Sequence, residues 1–118
     1  MFPNFVRRFV AGGAELLVNI SNDGWFGRSY AREQHLSMVR MRAAENRRWL
    51  LRATNDGITA TIDSAGRLRG TLPKYVQATS YTGFNYIGEQ TFYTRNGDWF
   101  PLLCAIWAVM GLVAERVL

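Results

Sequence analysis

Leu16-Leu17-Val18-Asn19-Ile20-Ser21, running straight into Asn22-Asp23-Gly24-Trp25-Phe26-Gly27, is the stretch on which the reading of this chain turns. Residues 16–21 are apolar on both alternations, which predicts a strand covered on both faces, central in a sheet layered with helices. Its C-terminal end passes into a glycine-punctuated loop that carries Trp25. Ligands of layered α/β folds gather at such strand ends. A helix follows that carries Gln34-His35-Leu36 and Arg42-Ala43-Ala44-Glu45-Asn46. Strand, loop and polar-striped helix together read as one wall of a pocket.

Before that strand, Phe5, Val6, Phe9 and Val10 recur at helical spacing after Pro3, and Gly12-Gly13 ends the run, so residues 3–11 are predicted helical. After it, no Gly or Pro interrupts residues 31–49. There Leu36, Val39 and Ala43 form one apolar line, with Gln34, Met38, Met41 and Glu45 on an adjacent stripe. Leu50-Leu51-Arg52-Ala53-Thr54 reads as a strand, Asn55-Asp56-Gly57 as a hairpin turn and residues 58–62 as the return strand. Asp63-Ser64-Ala65-Gly66 then turns the chain into residues 67–72, giving a β-meander. Residues 73–98 are rich in Thr, Tyr, Gly and Asn. They predict extended, surface-hugging chain with one strand near Thr91-Phe92-Tyr93.

The 118 residues suffice for one small domain, although the apolar run after Trp99 does not count as globular core. A net charge of +5 raises nucleic acid or an anionic membrane as partners. The cations are nearly all Arg, however, and are spread from Arg7 to Arg116 without a dense tract. Even Arg40, Arg42, Arg47, Arg48 and Arg52 fall on several sides of a helix and into the next strand, which argues against a phosphate-tracking face and against nucleic acid. The single Cys104 excludes a disulfide framework and a Cys-based metal site. No metal or other cofactor is expected. The N-terminus lacks the basic start and long apolar stretch of a signal peptide.

Residues 100–114 contain no charge, follow Trp99 where an interfacial aromatic would sit, and place Pro101 in the first helical turn. A crossing wants about 20 apolar residues, so the run spans a membrane best if Val117 and Leu118 count with it. The competing reading is a buried helix, but bulky residues on every side need apolar surroundings all round.

Among candidate site residues, Trp25 either lines a ligand pocket or plugs the edge of the fold. Asn22 and Asp23 either shape the loop by Asx-type bonds or orient catalytic groups. Phe26 and Gly27 set loop geometry. His35, the only histidine, reads as hydrogen-bonded and structural in preference to acid or base. Glu45 would be costly to bury alone, and Arg42 or Arg52 is the expected partner. Arg40 faces either solvent or a phosphate head group. Tyr81, Phe84, Tyr86, Phe92 and Tyr93 belong either at a bilayer interface or over the sheet edge.

Taken together, Phe2-Pro3-Asn4-Phe5-Val6-Arg7, the run from Asn19 to Gly27, Gln34-His35-Leu36, Met38 to Ala43 with Glu45, residues 50–60 and Gly97-Asp98-Trp99 resemble the nitrilase (carbon-nitrogen hydrolase) superfamily. Within it they are similar to the C-terminal part of the bacterial apolipoprotein N-acyltransferase family. The resemblance implies the C-terminal half of an αββα sandwich over residues 1–98 and a transmembrane helix over 99–118. It also implies a Glu-Lys-Cys triad whose thiolate takes an acyl chain from a phospholipid and passes it to the N-terminal diacylglyceryl-cysteine of a lipoprotein.

All three triad members belong upstream of the position matched by Phe2, so no catalytic residue is assigned to this chain. Asn22, Asp23, Trp25, Phe26 and His35 are its candidate substrate-binding residues. Cys104 does not replace the nucleophile, because it lacks the following Tyr-Glu and an apolar run disfavours a thiolate. The chain is therefore expected to be a C-terminal piece, with Met1 an internal methionine of a longer ancestral protein. As an isolated polypeptide it is expected to be inactive, and the missing N-terminal portion is a possible partner. The implied location is the bacterial inner membrane, with the globular part on the periplasmic side. Two other readings stay open: a non-catalytic membrane-tethered remnant or interaction module, and a fragment of a soluble nitrilase-family amidase.

Overall fold

The computed structural model describes residues 1–27 and 29–117, without the side chain of Val117. Leu118, which the membrane reading drew on, lies outside the described residues. The order of elements is α1 (Pro3–Ala11), β1 (Leu16–Ser21), a 3₁₀ turn (Gly24–Phe26), α2 (Ala31–Asn46), β2 (Trp49–Thr54), β3 (Ala60–Ile62), β4 (Leu68–Thr71), α3 (Phe92–Asn96) and α4 (Trp99–Val117).

The sheet runs β1-β2-β3-β4. β1 and β2 are parallel, joined through α2, with Leu17 beside Leu50 and Asn19 beside Arg52. β2, β3 and β4 form the antiparallel meander, with Leu50 beside Ile62. Leu17, Leu50 and Ile62 thus make one row across the sheet. They are buried together with Val6 and Val10 of α1 and Leu36, Val39 and Ala43 of α2. Burial of each Val, Leu or Ile side chain here stabilises by about 1.5–3 kcal/mol, and this core seats α1 and α2 on one face of the sheet.

Four sequence expectations need correction. Among the described residues β1 is an edge strand of the four, and only one of its faces is covered. Val18 and Ile20 on the other face are 63% and 82% exposed, because apolar residues on both alternations state what a strand can tolerate and not what packs on it.

The helix ends at Asn46 and not at Trp49. Arg47 takes a left-handed φ of 49° as the C-cap, and the N–H of Arg48 bonds the carbonyl of Ala43 at 3.0 Å. Arg48 then turns inward. Its guanidinium donates to the carbonyls of Ala14 (2.7 Å) and Glu89 (2.6 Å), tying residues 88–89 to the loop before β1. Burial pulls the Arg48 pKa below its ordinary value, and Glu15 offsets this only in part.

The return strand begins at Ala60 and not at residue 58. Side chains replace the ladder there: Arg52 Nε donates to the Ile58 carbonyl (3.2 Å), and Thr59 Oγ1 accepts from the Thr54 N–H (3.1 Å). Thr91-Phe92-Tyr93 is not a strand either. Thr91 caps α3, its hydroxyl accepting from the Thr94 N–H at 3.0 Å, and it also donates to the Glu45 carbonyl.

The β3–β4 turn is organised by Asp63, which is buried. It accepts from the backbone N–H groups of Ala65 and Arg67, both at 2.9 Å, and from the guanidinium groups of Arg67 and Arg69. Burial pushes this carboxyl up, but those backbone bonds and Arg67 outweigh it and hold the pKa at about 2. A value below that of the unfolded chain means stability that is complete above about pH 4 and is lost as the pH falls toward 2. Asp63→Asn is therefore expected to flatten that acid limb in urea midpoints taken at each pH, and an unchanged limb contradicts the assignment.

α4 is the one helix among the described residues long and apolar enough to cross a membrane. Its Trp99–Arg116 window has a mean hydropathy of 1.4, and none of it is buried against the rest of the chain. The segment just before α4 is tied to α1, whose Asn4 donates to Asp98 at 3.4 Å and whose Arg7 donates to the Thr94 carbonyl at 2.9 Å.

Candidate functional site

The site grows from the register of two strands. Alternation along β2 puts Arg52 on the same side as Leu50, the covered side, so a guanidinium enters the core and requires a counter-charge. The parallel register sets Arg52 beside Asn19, and the two side chains are hydrogen-bonded. Asp23, two residues beyond β1, reaches the same point, and Arg52 Nη2 donates to its Oδ2 at 2.5 Å with both side chains fully buried.

Asp23 Oδ1 also accepts from Ser21 Oγ (2.7 Å) and pairs with His35 Nδ1 (3.0 Å). Burial raises the Asp23 pKa, but the Ser21 bond, the Arg52 charge and the His35 bond together bring it below the ordinary carboxylate value. His35 Nδ1 lies 3.3 Å from Arg52 Nη2 as well. An ionised Asp23 only accepts, so His35 Nδ1 carries the proton of that pair. The neighbouring backbone closes in on the carboxylate. A Cβ added to Gly57 would fall 2.2 Å from Asp23 Oδ2, so only glycine lets the hairpin approach that closely.

The loop above this buried network is held from its outer side by Asn55. Its Oδ1 accepts from the Asp23 N–H (3.2 Å), and its Nδ2 donates to Asn22 Oδ1 (2.8 Å). Asn22 Oδ1 in turn accepts from the Gly24 N–H (3.1 Å), an Asx-type bond. The 3₁₀ turn is thereby fixed, with Trp25 88% exposed at its tip and Phe26 set edge-on to the His35 ring at 5.9 Å. Asn22 is exposed, Asp23 buried and His35 largely buried. All five residues singled out from the sequence thus lie in one stretch of strand end, loop and helix start.

Of the two partners expected for Glu45, Arg42 is the one it has, and Arg52 is spent on Asp23 instead. The signal for Arg52 was the i, i+2 alternation with Leu50. Glu45 pairs with Arg42 at 2.8 Å. Burial raises the Glu45 pKa, Arg42 offsets part of this, and Asp98 adds to it. Arg40 Nε donates to the Gly66 carbonyl at 2.8 Å.

Two hollows flank the loop and the sheet. One, of about 570 Å³, is lined by Asn55, Asp56, Gly57, Leu72, Tyr75 and Gln77. The other, of about 520 Å³, lies on the open sheet face between Val18, Leu51, Thr61, Leu72 and Tyr81. Within the network Ser21 Oγ donates to Asp23. Cys104 stands on the exposed surface of α4. Among the described residues no group of His, Cys, Asp and Glu is arranged to hold a metal ion. The arrangement is suited to holding an apolar loop rigidly at a strand end.

Residues 1–111 match the family model for carbon-nitrogen hydrolases. Over 98% of its length the chain is 48% identical to a protein of Geobacter metallireducens named apolipoprotein N-acyltransferase, of which it covers 22%. Proteins of the same name from Pseudomonas putida and Thermotoga maritima are each 39% identical over 99% and 98% of the chain, which covers 23% of each. The chain therefore spans less than a quarter of the length of these relatives.

Proposed function

This chain belongs to the carbon-nitrogen hydrolase family, and from that premise we propose that it is the C-terminal portion of an apolipoprotein N-acyltransferase. The observation that carries the reading is the 48% identity, sustained over 98% of the chain, to a protein of that name. In this reading residues 1–98 contribute to the hydrolase-type domain and 99–118 anchor it in the bacterial inner membrane, with the domain on the periplasmic side.

The reaction is acyl transfer in two displacements. A cysteine thiolate outside these 118 residues attacks the ester carbonyl of a phospholipid, forming a thioester and releasing the lysophospholipid alcohol, which takes up a proton. The α-amino group of the lipoprotein's N-terminal diacylglyceryl-cysteine then attacks the thioester, forming an amide and returning the thiol. The glutamate of the triad moves the protons, and the lysine stabilises the oxyanion of each tetrahedral intermediate.

What this chain supplies is the substrate-side wall. Trp25 and Phe26 offer apolar surface to the acyl chain, and Asn22, Asp23 and His35 hold that surface in place through the hydrogen bonds to Asn55, Ser21 and Arg52. By itself the chain transfers no acyl group, because neither base nor nucleophile of the triad is assigned to it.

The wall is tested by grafting residues 1–118 in place of the matching segment of the Geobacter relative and adding Trp25→Ala. Losing the burial of one aromatic ring against an acyl chain is expected to lower kcat/KM about tenfold or more. The melting transition stays put, because Trp25 is 88% exposed. Unchanged kcat/KM in the grafted variant removes Trp25 from the wall.

A further inference from the structure

Arg32, on the first turn of α2, is 96% buried at its side chain and spends only one nitrogen: Nη2 donates to Asp56 at 2.8 Å. Its Nε and Nη1 have no hydrogen-bond partner among the described residues. Arg7 and Arg42 each leave a single Nε in that condition, so Arg32 is the one guanidinium with two unused buried donors there. Such a group is costly unless something accepts from it.

The surroundings indicate what that something is. Arg32 lines a cavity of about 130 Å³ together with Ser29, Tyr30, Glu33, Lys74 and Tyr75. The cavity sits at the N-terminus of the 16-residue α2, where the helix dipole and first-turn N–H groups favour negative charge. Tyr30, the N-cap, makes no side-chain cap bond there. Both carboxylates of the neighbourhood are already paired, Asp56 with Arg32 and Glu33 with Lys74. The volume suits a small tetrahedral anion and excludes an acyl chain.

Tyr75 covers the guanidinium, its ring centroid 5.0 Å from Arg32 Cζ. It does so from a backbone with φ of 62°, a left-handed conformation that non-glycine residues seldom hold. Tyr75 is 61% exposed and lies in a turn outside the helices and strands, so little packing holds its side chain in place.

We propose that this cavity is a phosphate-binding site, with Arg32 Nε and Nη1 and the α2 N-terminus as donors and Tyr75 as its movable cover. The phosphate is either that of a lipid head group or the free anion. The site does not depend on the acyl-transfer reading, since no residue of the Asp23 network lines it.

The test follows the Nε–H resonance of Arg32 by NMR in the full chain, held in phosphate-free maltoside micelles. One arm titrates inorganic phosphate and the other adds phosphatidylglycerol to the micelles. Arg40 Nε, bonded to the Gly66 carbonyl, is the internal control. A saturable shift of Arg32 with Arg40 unmoved supports the site in either arm. Saturation in the lipid arm at lower concentration identifies a head group, and a shift with inorganic phosphate alone identifies the free anion. Calorimetry of Arg32→Gln is expected to show affinity about tenfold or more weaker, the loss of one charge-assisted bond. Failure of the Arg32 resonance to move in both arms, or phosphate affinity in Arg32→Gln within about twofold of the parent, overturns the proposal. If Arg32→Gln does not fold, the resonance of the unmodified chain decides alone.

Discussion

Asp23→Ala is expected to cost about 3–5 kcal/mol of folding stability, the range for removing one partner of a buried ion pair. The reason lies in what remains. Arg52 is fully buried, and without Asp23 its charge keeps the neutral oxygens of Asn19 and the Ile58 carbonyl and the neighbouring His35 ring, with no counter-charge among its described partners. His35 and Ser21 lose their shared acceptor at the same time, and the space that the carboxylate fills against Gly57 is left empty. A chain of this size has about 5–15 kcal/mol in total, so the urea midpoint should collapse or the cooperative transition vanish.

Asp23→Asn separates charge from shape. It keeps an oxygen for Ser21 and loses the ionic partner of Arg52, so an intermediate midpoint is expected. Full stability in Asp23→Ala would show that the pair is incidental to the fold. The effect is predicted on stability first and on any activity through it, because the Asp23 side chain has no exposed surface.

Ile106→Asp combined with Met110→Asp is expected to release the chain from membranes. Each carboxylate near the centre of a span costs about 2.5–3.5 kcal/mol, so the pair opposes insertion by about 5–7 kcal/mol. The parent helix is apolar on every side: Leu102, Ile106, Trp107, Val109 and Leu112 are each about half to two-thirds exposed, and they point to all sides. Trp99 sits at its start against Phe92 and Phe100, with ring centroids 5.4 and 5.8 Å apart, as aromatic residues do at a membrane surface. Carbonate extraction should leave the parent in the pellet and the double variant in the supernatant. A parent chain that extracts as readily as the variant would mean that α4 is covered by protein.

The sequence shows the site at the level of its elements and hides it at the level of its bonds. β1, the turn after it and the start of α2 are where the apolar run, the glycines and the uninterrupted periodicity place them. The partner of Asp23 was hidden because pairing across two strands depends on register, and neither strand announces its register locally. Arg52 carried a hint in its alternation with Leu50, but Glu45 was the more visible carboxylate on the nearby helix. The same blindness explains Thr59, whose β-branched side chain suits a strand yet spends its hydroxyl on Thr54. Thr91 is a further case: Thr-Phe-Tyr has the composition of a strand, and the cap on Thr94 makes it the start of a helix. The open face of β1 was illegible for a different reason, since hydrophobicity is local and coverage is not.

The most direct measurement of the central claim compares acylation of a diacylated lipopeptide, in phospholipid micelles, by two proteins. One is the isolated chain, and the other is the Geobacter relative carrying residues 1–118 in place of its own matching segment. A chain that supplies the wall and the anchor to reactive groups held elsewhere predicts transfer by the grafted protein and none by the isolated chain. A folded grafted protein without activity, or a base-labile thioester on the isolated chain, contradicts it.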